Sequence, residues 1–242
     1  MRLSVSIKNC LELLLSEGQV ISTTKWQGEH SPPAMIEVLN ATLQAQMPED
    51  EEELVEQTKP HLLDWCREHF LERVSGEPLN PPPSHARWLP GTDKFLSGDK
   101  FSHSYPEHFW PKGLCTGIRF EVGDLGTLVE LLKQEPDTRQ AVLPMFYPED
   151  LTAAVLHHRV PCSLYWHFMA RDNRLHCWYD LRSCDAHRHF AHDIYLAVRL
   201  AQWVRDQALP DMLMGNLYFR AHSFHAFEND RYGLTVKARK YT

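Results

Sequence analysis

The feature that most restricts the possible folds is a pair of strand-like runs, Ser163 to Ala170 and Leu175 to Leu181, separated by little more than Asp172-Asn173. Asx residues tolerate the left-handed backbone of a tight turn, so the segment predicts a β-hairpin. Around it the hydrophobic period changes. Residues 1–20 place Leu3, Ile7, Leu11, Leu14 and Leu15 on one face of a helix. Leu125 to Gln134 predicts another helix, stopped by Glu135-Pro136, and Ile194 to Gln207 a third. Ala141 to Phe146 and Met212 to Phe219 predict strands. Residues 31–75 are expected to be mostly helical, with Trp65 to Val74 a clear amphipathic helix ended by Gly76, and Glu49 to Glu53 a solvated loop. Glu77 to Lys94 is rich in Pro and Gly and predicts an irregular loop. Hairpin-linked strands beside separate helices give an α+β class, with no internal repeat.

Composition narrows the function. A chain of 242 residues, 43% hydrophobic and 24% charged, suits one large domain with an ample core. A net charge of −7 argues against a broad nucleic-acid surface, though it permits a small anionic ligand. No apolar run is long enough to span a membrane. Lys8, Asn9 and Glu12 interrupt the N-terminal apolar residues, which favours an amphipathic helix over a signal peptide. Cys10, Cys66, Cys115, Cys162, Cys177 and Cys184 form no CxxC pair, so free thiols in a reducing, cytoplasmic setting are expected. His157-His158, His187, His189 and His192 follow no metal-ligand spacing, and no metal is expected. The seven Trp fit an aromatic core or a pocket for flat ligands.

Several residues have the chemistry of a site. Cys162 follows Pro161 and opens a strand, where a thiol can face a cleft; it could equally be a small buried hydrophobe. Arg182 and Ser183 offer a guanidinium fork and a hydroxyl suited to phosphate. Asp193 lies eight residues after Asp185, just before an apolar helix. It is either an N-cap or a carboxylate that accepts from an amino group, favouring cytosine over uracil. Arg139 lies in a loop between helix and strand, and His225 follows a strand in an aromatic setting. Each has an ordinary alternative, a solvated Arg and a satisfied core His. Glu68 and Glu72 share a face of the Trp65 helix.

Taken in order, these segments resemble the thymidylate synthase and pyrimidine hydroxymethylase superfamily over residues 98–232; residues 1–97 diverge, within what would be a single catalytic domain spanning 1–242. Pro161-Cys162 is followed twenty residues on by Arg182-Ser183-Cys184-Asp185, with Phe168 and Leu175 between. Gly215-Asn216 leads to His225-Ala226-Phe227, and Pro136-Asp137-Thr138-Arg139 sits upstream. The resemblance implies a mixed sheet packed with helices, one sheet face forming a homodimer interface. It also implies that Cys162 attacks C6 of a pyrimidine nucleotide, so that C5 takes a one-carbon group from 5,10-methylenetetrahydrofolate. Tyr105 and water would serve proton removal, with Glu72 or Glu68 organising water. Arg182 and Ser183 would hold the phosphate with Arg139 from the partner, Asp185 would contact the folate, and His225 and Phe227 would meet the sugar.

The departures are informative. Asp193 stands where thymidylate synthases carry Asn, and resembles viral deoxycytidylate hydroxymethylases, which implies a virus-encoded enzyme converting dCMP to 5-hydroxymethyl-dCMP. Ser163 replaces the usual His, Gln140 the second phosphate-loop Arg, and Phe227 the sugar-binding Tyr. A dCMP methylase, a uracil-directed enzyme and a non-enzymatic nucleotide-binding module are the competing readings. A cysteine hydrolase finds no support in the spacing.

Overall fold

Asp172 and Asn173 sit at φ 52° and 57°, the left-handed conformation of a two-residue turn, and they join strands that pair from Ser163↔Leu181 to Arg171↔Arg174. The computed structural model describes residues 1–22, 25–26, 29–30, 33–87, 95–112 and 123–241. Cys115 and the end of the Pro-rich loop, 88–94, lie outside them.

The elements run α1 (Leu3–Glu17), β1 (Gln19–Ile21), β2 (Lys25–Trp26), β3 (Glu29–His30), β4 (Met35–Gln46), α2 (Glu51–Thr58), α3 (Leu63–Arg73) and a 3-10 turn (Pro83–Arg87). Then follow β5 (Leu96–Ser97), β6 (Lys100–Phe101), α4 (Tyr105–Phe109), α5 (Leu125–Gln134), β7 (Val142–Pro144), α6 (Pro148–Val155) and β8 (Ser163–Arg171). The chain closes with β9 (Arg174–Asp185), α7 (Phe190–Ala208), β10 (Leu213–Phe227), a short 3-10 turn (Glu228–Asp230) and α8 (Arg231–Lys240). Six strands form one mixed sheet in the order β1-β4-β10-β9-β8-β7; only β9 and β10 are parallel, with α7 as their crossover.

Helices cover one face of this sheet. Ala41, Leu43 and Ala45 of β4 point toward the helices and are buried, while the intervening Thr42, Gln44 and Gln46 are exposed. Leu3, Ile7, Leu11 and Leu14 of α1 pack into the same core. Near the sheet centre Trp166 and Tyr179 stack with centroids 4.4 Å apart, and Phe190 of α7 meets Phe219 and Phe224 of β10. Among the described residues, no layer covers the opposite face in the single chain. There Trp178 stacks on Tyr218 at 4.5 Å, His167 and His176 flank them, and Asp180 pairs with Arg220.

Four expectations need correction. Residues 35–46 are a long strand, although Ala and Gln favour helices: pairing with β10 over most of its length outweighs local propensity. Glu51 to Glu53 form the first turn of α2, capped by Asp50 at Glu53 N, where acidic groups meet the positive helix end. Asp193 is not an N-cap but lies inside the first turn of α7, which starts at Phe190. β10 runs on to Phe227, so His225 belongs to the strand rather than following it.

Gly215 marks a register shift between β9 and β10, where a Cβ would come 2.7 Å from His176 Nδ1 and 2.8 Å from Leu175 O. Both neighbours are held, since His176 Nδ1 accepts from Asn216 N at 3.0 Å. Gly215→Ala is expected to cost about 1–3 kcal/mol through overpacking. A thermal melt should fall by roughly 2–10 °C for a chain of this size; an unchanged midpoint would show that the strands can spread.

Candidate active site

The C-terminal ends of β9 and β10, the first turn of α7 and one face of α3 surround a cavity of about 610 Å³. It brings together Cys162, Tyr105, Arg182, Ser183, Asp185, Asp193 and His225. Its size lies in the range of small-molecule sites, about 300–1,000 Å³.

Cys162 precedes β8 by one residue, and its thiol is reachable from the cavity. Arg182, across the strand pair, donates from N to Cys162 O at 2.9 Å. Its guanidinium donates to Pro161 O at 2.8 Å and Val160 O at 3.0 Å, and approaches Cys162 Sγ at 3.9 Å. Surrounding protein raises the thiol pKa; Arg182 and Arg159 pull it down while Asp193 and Asp185 oppose them, leaving it above the ordinary value.

Tyr105 starts α4, set by a capping box between Ser104 and Glu107. Its hydroxyl lies 3.0 Å from Ser163 Oγ, which lies 2.7 Å from Tyr179 OH. Burial pushes Tyr105 up to about 12, so this chain of hydroxyls can relay a proton but does not begin as a phenolate. Ser163, in the position where a His is usual in the resembling family, thus bridges the two phenol hydroxyls.

Asp193 faces the cavity near Arg73 and accepts from Cys184 Sγ at 3.6 Å. Burial raises it to about 7, with Arg73 pulling the other way, so it can hold a proton near neutrality. Asp185 is engaged locally: Oδ1 accepts from His187 N and Arg188 N, each at 2.9 Å, and Oδ2 accepts from Arg188 at 3.2 Å. Oδ2 retains room for a further donor. His225 Nδ1 lies 3.3 Å from Ser223 Oγ.

Four expected residues stand outside the cavity wall. Glu72 is turned behind His69 and bonded to Ser84, and Glu68 pairs with Arg87. Phe227 lies under the Arg188 guanidinium at 4.8 Å. Arg139 is exposed in its loop, where its carbonyl accepts from His167 of the uncovered sheet face at 3.1 Å. The wall also holds residues that the sequence reading missed. Trp65, His69 and Arg73 recur every four residues on α3, a face one position on from Glu68 and Glu72, and that spacing was the available signal. Arg73 is buried, lies 4.0 Å over the Tyr105 ring, and has no hydrogen-bond partner for Nε among the described residues. Arg159, three residues before Cys162, joins Arg182 in the thiol's surroundings. His192 is buried against Trp65 and His61 and is driven down to about 2, mainly by burial, so it is neutral. Among the described residues, no group of three or more His, Cys, Asp or Glu could hold a metal, and no helix is long and apolar enough to cross a membrane.

A sequence model described as thymidylate synthase matches residues 104–240. In fold, the chain is similar to thermostable thymidylate synthase A from Bacillus subtilis, with a TM-score of 0.73 and 13% identity over 99% of this chain and 84% of that one.

Proposed function

Because this chain belongs to the thymidylate synthase family, whose chemistry is folate-dependent one-carbon transfer to a pyrimidine nucleotide, we propose that it hydroxymethylates C5 of a cytosine nucleotide, dCMP, using 5,10-methylenetetrahydrofolate. The observation that carries the choice of base is the protonatable carboxyl of Asp193 inside the cavity. Such a group can accept from the cytosine amino group and share a proton with N3. The co-substrate supplies the methylene carbon. The cavity lining includes Trp65, Phe101, neutral His192 and Asp185, whose chemistry suits a flat heteroaromatic ring carrying N–H groups.

The residues divide the work as follows. Cys162 Sγ forms a bond to C6, and the C5–C6 π pair becomes the nucleophile at C5, which bonds to the donor's methylene carbon as that carbon's bonds to the folate nitrogens break and tetrahydrofolate leaves. Arg182, clamped on the 160–162 backbone, holds the phosphate together with Ser183 and Arg159. Arg159 compensates for the charge missing at Gln140. His225 and Ser223 meet the sugar. Tyr105, held through Ser163 to Tyr179, orients the water that takes up the proton leaving C5.

The test is proton release from dCMP tritiated at C5, with dUMP and CMP in parallel and the product weighed by mass spectrometry. Release from dCMP with gain of a hydroxymethyl group supports the reading; a methyl product would change the reaction, and release only from dUMP or only from CMP would change the substrate. Release from none would favour a nucleotide-binding module.

The uncovered sheet face is assigned to a second copy of the chain. It presents the Trp178–Tyr218 stack next to the loop of Arg139, which then reaches the partner's phosphate site. Light scattering should report twice the chain mass. Trp178→Glu should give a monomer that has lost most phosphate affinity; a monomeric native protein with full activity would sink this arrangement.

A further inference from the structure

We propose that His69 accepts the proton of the water that enters this site, with Glu72 and Ser84 holding its ring. The inference rests on the one-carbon chemistry proposed above and adds the group that decides its outcome. His69 lies on the cavity face of α3, stacked on Trp65 with centroids 4.8 Å apart. Its Nδ1 is 3.2 Å from Glu72 Oε2 and 3.3 Å from Ser84 Oγ. Glu72 is saturated from behind: Oε1 accepts from Ser84 N and Oε2 from Ser84 Oγ, both at 2.5 Å. Burial alone would raise the Glu72 pKa, yet the bonds from His69 and Ser84 bring it below the ordinary carboxylate value. A carboxylate fixed as an anion makes Nδ1 the protonated nitrogen of the ring. Burial, aided by Arg73, lowers His69 to about 4, so the ring is neutral and Nε2 carries a lone pair. No hydrogen bond among the described residues uses Nε2, and the ring borders the cavity.

This arrangement is a carboxylate–imidazole pair whose ring borders the cavity, with Nε2 outside any hydrogen bond among the described residues. Once the donor's carbon stands on C5 as an exocyclic methylene, water oxygen bonds to that carbon and a water O–H bond breaks, its proton passing to His69 Nε2. The C=C electron pair shifts back into the ring, re-forms C5=C6 and expels the Cys162 thiolate. Atoms and charge balance, and the Glu72 carboxylate offsets part of what burial and Arg73 cost the imidazolium.

The experiment follows tritium release and product mass in the native protein, His69→Asn and Glu72→Gln, with and without added 2-mercaptoethanol. His69→Asn keeps a group for Glu72 and Ser84 but deletes the Nε2 acceptor. Tritium release is expected within about threefold of native, while hydroxymethyl product falls about 10²-fold or more, the usual share of a general base. The stranded methylene should then appear as a thioether of the added thiol. Glu72→Gln removes the charge behind the ring and should lower hydroxymethylation roughly tenfold; if His69→Asn does not fold, this variant decides. Undiminished hydroxymethylation in either variant overturns the role of His69. So does a parallel fall of tritium release and product without thioether. Absence of tritium release from the native protein would instead overturn the proposed reaction, and this role with it.

Discussion

Cys162→Ala abolishes tritium release and product formation, by about 10⁴-fold or more, the scale on which a covalent nucleophile contributes. The loss should be chemical rather than structural. The Cys162 side chain lies at the cavity mouth, and Arg182 is anchored to the backbone carbonyls of Val160 and Pro161, which the substitution leaves in place. The melting midpoint should therefore move little, because no buried packing is removed. Nucleotide affinity should survive within a few-fold, since Arg182, Arg159 and Ser183 remain. Mass spectrometry of the native protein with a 5-fluoropyrimidine nucleotide and the folate should show a covalent adduct that Cys162→Ala lacks, because fluorine cannot leave C5 as a cation. An adduct retained in the variant would mean that another thiol attacks. Burial raises Cys184 and Cys177 far above the ordinary thiol value and leaves them poor alternatives.

How much of this is readable in the chain depends on the range of the interaction that sets each feature. The β8–β9 hairpin is specified locally by Asp172-Asn173, and α5 is bounded by Asp124 at its start and Glu135-Pro136 beyond its end, so both appear in sequence at nearly their observed limits. β4 reads as helix because its identity comes from non-local pairing: its Ala and Gln residues lean toward helix until β10 and β1 bond to both edges. Cys162 and the Arg182–Asp185 cluster are legible because one hairpin fixes their spacing. The α3 wall is not. A helix face is fixed by the tertiary packing of Cys66 and Phe70, and that rotation turns Trp65, His69 and Arg73 inward in place of Glu68 and Glu72. Arg159 is invisible for a related reason, since its loop reaches the cavity only by folding beneath 101–105, where Arg159 O accepts from Ser102 and His103.

Asp193→Asn should move base preference and pH dependence together. On the proposed reading, Asp193 and cytosine N3 share one proton while the amino group donates to the other carboxyl oxygen. Uracil carries N3–H and O4 where cytosine carries N3 and the amino group, so the carboxyl proton must go to O4, a far weaker base than cytosine N3, and is held more weakly. A neutral amide shares no proton and discriminates poorly. The dUMP-to-dCMP ratio of kcat/KM should rise about 10²-fold or more, as expected when a charge-assisted hydrogen bond is removed from a buried site. An unchanged ratio would mean that Asp193 does not read the base. The carboxyl ionises near 7 in the fold against an ordinary 3.8, so native dCMP turnover should decline as pH rises through about 7, and the Asn variant should lose that limb. Stability carries the same sign. Above 3.8 the unfolded chain releases this proton and the native chain keeps it, so native stability falls as pH climbs toward 7 and then levels off. The substituted amide never bears that buried charge. The variant should therefore melt at least about 3 °C above native at pH 8 and lose the advantage near pH 4, where the native carboxyl is protonated in the fold. Equal melting curves at both pH values would place Asp193 in water, and with it would go the argument that a single buried proton selects cytosine.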